Sequence, residues 1–348
     1  MAQEQDEEVR KIQFSGKSSY MLALPKKWVE EMRLQPGDRV RVARQSNESL
    51  IITPEAATRP EDKGEVIIEI SKKDNAGSIV RKLVSIYLLG YNTIHVRNKE
   101  GTLTSTQRNF VKEAVHRHLI GTEVVADSTE GTTIQVLLSF PQLSVENALR
   151  RMFIITASMH KDAMLALRKL DSDSAQGVIR TDDEVDRFSL YVIRQLKMAV
   201  QNNRALKEIG LDTPRGCLGY RLIVKSVERV ADHASKIAEG VLNIKQPLDE
   251  LVLSKLTQLS DYALKVFEES GLALFKGDYD AADRIVEKAK AITDMERNLL
   301  TTMEKGRSIK SLQTIRLIVE DIKRTAEYAS DIAEIVLNMT AERVIIRH

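Results

Sequence analysis

The sequence predicts a multidomain protein with a small, mostly β head, an α+β middle module and an all-α C-terminal bundle. Its 348 residues exceed what one ordinary core holds, so two or three domains are expected. Short apolar runs separated by turn residues dominate the first part of the chain. From Ser144 onward, apolar residues recur at three- and four-residue spacing, which is typical of helices.

The head is predicted at residues 1–57 and the middle module at 65–143. In the head, KIQFSG, YMLALP, RVRVARQ and SLIIT predict strands, WVEEMRL predicts a short helix, and Gly37-Asp38 marks a turn. The middle module has a β-α-β-α-β-β order, which is typical of small α+β domains. It carries no phosphate-binding glycine loop, and its role stays open.

The helical part contains an internal repeat. RLIVKSVERVADHASKIAEGVLN at 221–243 matches RLIVEDIKRTAEYASDIAEIVLN at 316–338 in 14 of 23 positions. A weaker match between DEVDRF and TDMERN places about 15 extra residues between the second and third helices of the first copy. We therefore predict two three-helix repeats, repeat 1 at 144–245 and repeat 2 at 246–340. Their predicted helices are 144–169, 182–208, 215–244, 248–276, 279–305 and 310–339.

Two acid pairs stand out in repeat 1, Asp182 with Asp186 and Glu228 with Asp232. A four-residue spacing places both members of a pair on one helix face, where like charges repel. A bound cation could offset this repulsion, and so could nearby arginines; a plain solvated face is the third interpretation. Counted from the turn near Gly210, the two pairs differ in level by one to two turns, so they can be neighbours but the sequence does not prove it; Glu239 lies closer to the level of Asp186. The neighbouring arginines are Arg180, Arg187 and Arg229, and His233 adjoins Asp232.

At these residues the chain resembles the PhoU family. VERVADHASKIAE is similar to the third-helix signature of that family, and DDEVD matches its first acidic motif. The resemblance implies a regulator of phosphate uptake and its signalling, not a catalyst, with metal ions on the acidic faces. The implied metal ligands are Asp182, Asp186, Glu228 and Asp232, and hard carboxylates favour a divalent metal ion or iron.

Repeat 2 departs from this pattern. In the alignment Lys323 replaces Glu228 and Glu327 replaces Asp232, while Ile292 and Glu296 occupy the places of Asp182 and Asp186. A lysine inside a cation site repels the ion directly. We therefore expect at most one good metal site, in repeat 1.

The head is similar to SpoVT/AbrB-type domains, which interlock as dimers and often bind DNA. The similarity rests on a glycine, an apolar-x-apolar-Pro run and a later leucine and Gly-Asp pair. Residues 9–44 hold nine basic against three acidic residues, so basic charge is concentrated at this end. We expect the head to bind DNA or to serve as a dimerisation surface. The predicted DNA-binding residues are Arg10, Lys11, Lys17, Lys26 and Lys27.

The expected function is a non-enzymatic phosphate-response regulator that forms a homodimer or higher homo-oligomer and binds metal and DNA. One alternative is a dimeric regulator that acts on a phosphate transporter, or on its regulator, through protein contacts alone. A plain oligomeric scaffold is another. A carboxylate-bridged metalloenzyme is disfavoured, because the bundle lacks Glu-x-x-His pairs. Cys217 is the only cysteine, and no apolar run reaches about 18 residues, so we expect no disulfide, no membrane insertion and a cytoplasmic location.

Overall fold

The computed structural model describes residues 8–16, 19–44, 49–55, 64–137, 143–200, 203–211, 213–303 and 309–345. The chain forms two compact units, Met1–Asp62 and Lys63–His348. The predicted fold class is confirmed: a small strand-rich head is followed by an α+β module and a helical bundle. Among the described helices, none combines the length and the apolar character needed to cross a membrane.

The head consists of two antiparallel strand pairs and one short helix. Strand β1 (Gln13–Ser15) pairs with β2 (Ser19–Met21), and β3 (Val40–Arg44) pairs with β4 (Leu50–Pro54). Helix α1 (Lys26–Glu31) lies between the two pairs in sequence. The strand predicted over YMLALP ends at Met21, because Pro25 is the N-cap of α1. Gly37, at the predicted turn, has a φ of 99°.

The middle module has the predicted order of elements. These are β5 (Glu65–Ile70), α2 (Ala76–Leu89), β6 (Thr93–Asn98), α3 (Ser105–His118), β7 (Thr122–Asp127) and β8 (Thr132–Val136). The sheet order is β5-β6-β8-β7, with β5 and β6 parallel and the other pairs antiparallel. Thr104 and Gln107 form a capping box at the start of α3.

The bundle consists of two groups of three long helices, and the first group also contains one short helix. Repeat 1 holds α4 (Val145–Lys169), α5 (Ser172–Ala199), the short α6 (Asn203–Glu208) and α7 (Pro214–Asn243). Repeat 2 holds α8 (Glu250–Lys276), α9 (Tyr279–Met303) and α10 (Ile309–Thr340), and a 3-10 turn at Ala341–Val344 follows. The similar helices α7 and α10 pack against each other, and one apolar core runs through both repeats.

The helix predicted at 182–208 is wrong at both ends. Helix α5 begins ten residues earlier, because the Asp171 side chain caps it by accepting hydrogen bonds from the backbone N–H groups of Asp173 and Ser174. Gly177 lies inside α5. At the other end α5 stops at Ala199, and α6 is separate. The connection that contains α6 is the insertion that the repeat alignment predicts.

Helix α5 also carries the contacts between the bundle and the middle module. Leu190 packs against the apolar core of the module. Arg117 on α3 donates hydrogen bonds to Asp183 Oδ2 from Nη2 at 2.7 Å and from Nε at 3.2 Å. Arg194 is buried and donates hydrogen bonds to backbone carbonyls at the C-terminal end of α2. Residues 183, 190 and 194 are spaced as one helix face, so this face is built for docking the module.

Candidate metal centre

Three of the four predicted metal ligands come together between α5 and α7. Carboxylate oxygens of Asp186, Glu228 and Asp232 lie within 4.8 Å of one another, and all three residues are half-buried. Asp182, one turn before Asp186 on α5, stays outside that group of three. Its charge still interacts with Asp232, Asp186 and Glu228. The two acid pairs therefore face each other across one helix interface.

The level difference predicted between the two acid pairs is wrong. Asp186 lies 13 residues before Ala199, the last residue of α5, and Glu228 lies 14 residues after Pro214, the first residue of α7. The sequence estimate counted from Gly210 as if α5 ran to that turn, whereas α6 fills much of the connection. Glu239 accordingly is not part of the group of three.

Burial and mutual repulsion raise the pKa values of the acids of α5. Burial, followed by the charges of Asp232 and Asp186, raises the pKa of Asp182 to about 7. Burial, followed by the charges of Glu228 and Asp232, raises the pKa of Asp186 to about 6. Both shifts mean that the folded chain disfavours a fully ionised cluster without a counterion.

Arginine is not the counterion of this cluster. Arg229 lies over the Tyr328 ring at 5.6 Å, and neither Arg180 nor Arg187 forms an ion pair with a described residue. The cation beside the acids is Lys225, which contacts Glu228 from one turn earlier on α7. Glu228 Oε2, the oxygen that Lys225 contacts, is buried. Sequence reasoning missed Lys225, although its three-residue spacing from Glu228 is the visible signal.

His233 does not belong to the cluster either. Its Nδ1 lies 2.7 Å from Asp321 Oδ1 on α10, and its ring stacks on Tyr328. The imidazole therefore faces repeat 2, and its place beside Asp232 in sequence does not make it a neighbour of the acids. This follows from helix geometry, in which adjacent residues point about 100° apart.

Comparisons with known proteins match the helical part. The family model described as "PhoU domain" matches residues 149–241 and 256–336, half of the chain. The chain belongs to the PhoU family. A second family model, described as "Antidote-toxin recognition MazE, bacterial antitoxin", matches residues 13–60. This match lies over the head and agrees with its resemblance to SpoVT/AbrB-type domains.

Two curated relatives and one solved structure illustrate the relationship. A "Phosphate-specific transport system accessory protein PhoU homolog" of Borreliella burgdorferi is 24% identical over 186 residues, covering 50% of this chain and 81% of that protein. The PhoU homolog 1 of Thermotoga maritima is 22% identical over 197 residues, covering 54% of this chain and 82% of that protein. The phosphate transport system regulatory protein PhoU of Streptococcus pneumoniae is 20% identical, with a TM-score of 0.49 over 58% of this chain and 96% of that one.

In repeat 2, the ammonium group of Lys323 lies between the side chains that align with Asp186 and Asp232. Lys323 Nζ lies 2.9 Å from Glu296 Oε2 and 3.8 Å from Glu327 Oε1. The hydrogen bond to Glu296 raises the pKa of Lys323, so the lysine stays charged. Glu327 also accepts a hydrogen bond from Arg324 at 2.9 Å. The side chains that align with the acids of repeat 1 are thus already neutralised from within the chain.

The predicted DNA-binding residues occupy two places in the head. Arg10 and Lys11 are exposed and precede β1, and Arg10 pairs with Glu8. Lys26 and Lys27 are exposed and begin α1, where Lys26 lies 3.6 Å from Glu30. Lys17 lies outside the described residues.

Proposed function

We propose that this protein regulates phosphate uptake or the phosphate response, and that it does so as a metal-binding PhoU protein with a DNA-binding head. The observation that carries the proposal is the convergence of Asp186, Glu228 and Asp232 between two helices of a PhoU repeat. The relatives are named as phosphate transport accessory and regulatory proteins, which supports the phosphate role. No histidine or cysteine joins the three acids among the described residues, which favours a regulator over a catalyst.

The residues of repeat 1 fit a hard metal ion. The pKa values of Asp182 and Asp186 are raised, as expected for acids whose charge is not neutralised, since the ion pair of Lys225 is with Glu228. Carboxylate oxygens suit magnesium, calcium, manganese or iron. Asp186, Glu228 and Asp232 would hold the ion, and Asp182 would join them or bind its water shell. A bound ion replaces repulsion between α5 and α7 with attraction, so occupancy is linked to the packing of these helices.

The exposed apolar side chains of the head favour a homodimer. Among its described residues only Pro25 is buried. Phe14 is 61% exposed, Tyr20 73% and Leu50 63%. Two separate two-stranded pairs are marginal in water without a further apolar face. A second copy of the head supplies such a face, and dimerisation would also place two basic sets on one DNA duplex.

DNA binding is tested by titrating a duplex at several salt concentrations. We expect the full chain to bind, with an affinity that falls steeply with salt, and a chain lacking residues 1–57 not to bind. Lys26→Gln with Lys27→Gln should reduce the salt slope by about 0.9 for each phosphate contact removed. The matched control is Lys72→Gln with Lys73→Gln, an exposed pair outside the head, which should leave the slope unchanged.

The alternative function predicts another result. If no form of the protein binds duplex more tightly than about 10⁻⁴ M, the weak limit of non-specific binding, the head is a dimerisation domain. The protein would then act on a phosphate transporter, or on its regulator, through protein contacts. Because the bundle is not altered in these variants, this outcome leaves the metal proposal standing.

A further inference from the structure

A groove between α4 and α5 combines an apolar floor with two arginines. It lies near the end of α3 and has a volume of about 760 Å³. Volumes of this size are typical of sites for small molecules. Ile120, Ile155 and Phe188 are half-buried and form part of its apolar lining. We call it the arginine groove, after Arg151 on α4 and Arg187 on α5.

The two arginines lack anionic partners. Neither forms an ion pair with any residue that the structure describes, and the Arg151 guanidinium lies 5.5 Å from the centre of the Phe188 ring. The Nε of Arg187 is buried and has no hydrogen-bond acceptor. Such a donor is costly to bury without an acceptor, and few occur in folded proteins. The need is for an anion because both guanidinium charges are uncompensated, whereas the buried Nε itself is closed to the groove.

The acidic side of the groove does not meet that need. Glu184 on α5 also lines the groove, but its side chain is exposed and forms no ion pair with a described residue. With Glu184 counted, the groove keeps one net positive charge. Asp183 is engaged by Arg117 at 2.7 Å, so it is not a partner for Arg187.

From these features we propose that the arginine groove binds a small amphipathic anion, with an oxyanion held by Arg151 and Arg187 and an apolar body on Ile120, Ile155 and Phe188. Guanidinium groups bind carboxylate, sulfonate and phosphate oxygens through paired N–H donors. Inorganic phosphate alone would leave the apolar floor uncovered, whereas a neutral apolar molecule would leave the guanidinium groups unsatisfied. The proposal does not depend on metal or DNA binding.

The test uses 8-anilinonaphthalene-1-sulfonate, an oxyanion on an aromatic body whose fluorescence rises when it leaves water. We expect saturable binding to the full chain and a loss of affinity of at least about tenfold in Arg151→Gln with Arg187→Gln, since one charge-assisted contact is worth about that factor. Arg187→Lys should lose less, because it keeps the charge but not the paired donors. Decanoate should displace the probe, and inorganic phosphate at equal concentration should not.

A second apolar groove nearby supplies the control. Arg150 lies over Phe275 at 3.9 Å and donates a hydrogen bond to Glu146, on a different face of α4. Arg150→Gln should leave probe affinity unchanged. If the glutamine pair fails to fold by circular dichroism, Ile155→Trp replaces it, fills the groove from the apolar side, and should lower affinity by a similar factor.

The proposal is overturned by the absence of saturable binding, by equal affinity in the wild type and the glutamine pair, or by a loss confined to Arg150→Gln. Displacement by inorganic phosphate as strong as that by decanoate would show that the apolar floor takes no part, which also contradicts it.

Discussion

Replacement of Arg194 by methionine is expected to lower the free energy of unfolding by about 3 to 5 kcal/mol, because four acceptors lose their donor at once and each buried unsatisfied acceptor costs about 1 kcal/mol or more. Arg194 is 3% exposed. It donates hydrogen bonds to the carbonyls of Tyr87, Gly90 and Tyr91 and to Asn92 Oδ1, the last three at 3.1 Å. Methionine fills much of the same space but offers none of these donors.

The charge of Arg194 is held without a carboxylate partner among the described residues. The C-terminal end of α2 carries a partial negative charge, which stabilises a cation there. The guanidinium also lies 4.8 Å from the centre of the Tyr87 ring. Because α2 ends in a left-handed turn at Gly90, with a φ of 96°, its last carbonyls point away from the helix toward Arg194.

The measurement is urea unfolding followed by far-ultraviolet circular dichroism. Lys197→Met is the control, because Lys197 lies three residues further on α5 and is exposed; it should change the free energy by no more than about 0.5 kcal/mol. We expect the Arg194 variant to unfold the middle module first, which would appear as a second transition. A change below about 1 kcal/mol with a single unshifted transition would contradict the role given to Arg194.

Replacement of both Asp186 and Asp232 by asparagine is expected to lower the affinity for Mn²⁺ by more than about a hundredfold, because each change removes a ligand and a unit of negative charge. Isothermal titration calorimetry on the full chain measures this directly. The matched control is Glu296→Gln with Glu327→Gln, which alters the aligned positions of repeat 2. Lys323 already neutralises those positions, so the control should bind one ion as the wild type does.

The same variant should change the pH dependence of stability without metal. The raised pKa values of Asp182 and Asp186 mean that the folded state holds protons which the unfolded state has released. The metal-free wild type should therefore lose stability as pH rises from about 4 through 7. The asparagine pair should show a smaller loss, because it removes one shifted acid and a neighbour of the other. Equal pH profiles, or an equal loss of Mn²⁺ affinity in the repeat 2 control, would contradict this account.

The parts of the fold that sequence predicted best are those with a repeated or periodic signal. The alignment of 221–243 with 316–338 located α7 and α10, and it also predicted the place of Lys323 among acids. The four-residue spacing of the acids predicted shared faces, and the structure brings three of the four together. These signals are local, so they do not depend on how distant elements pack.

The errors came from caps, turns and long-range contacts. The helix predicted to begin at residue 182 begins after the N-cap Asp171 instead, because apolar periodicity does not reveal a capping side chain. Because α6 fills much of the connection between α5 and α7, the acids of these two helices lie closer in level than the count from Gly210 predicts. Arg194 could not be identified as a docking residue, because its acceptors lie about a hundred positions earlier in the chain and are backbone atoms that any sequence supplies.

Whether this protein controls phosphate uptake is answered by measuring orthophosphate uptake in cells that lack it. We expect uptake to stay high in phosphate-rich medium without the protein, and to be restrained again by the wild-type chain but not by the chain with Asp186→Asn and Asp232→Asn. If uptake in rich medium is the same with and without the protein, the phosphate role is contradicted, whatever the acid cluster binds.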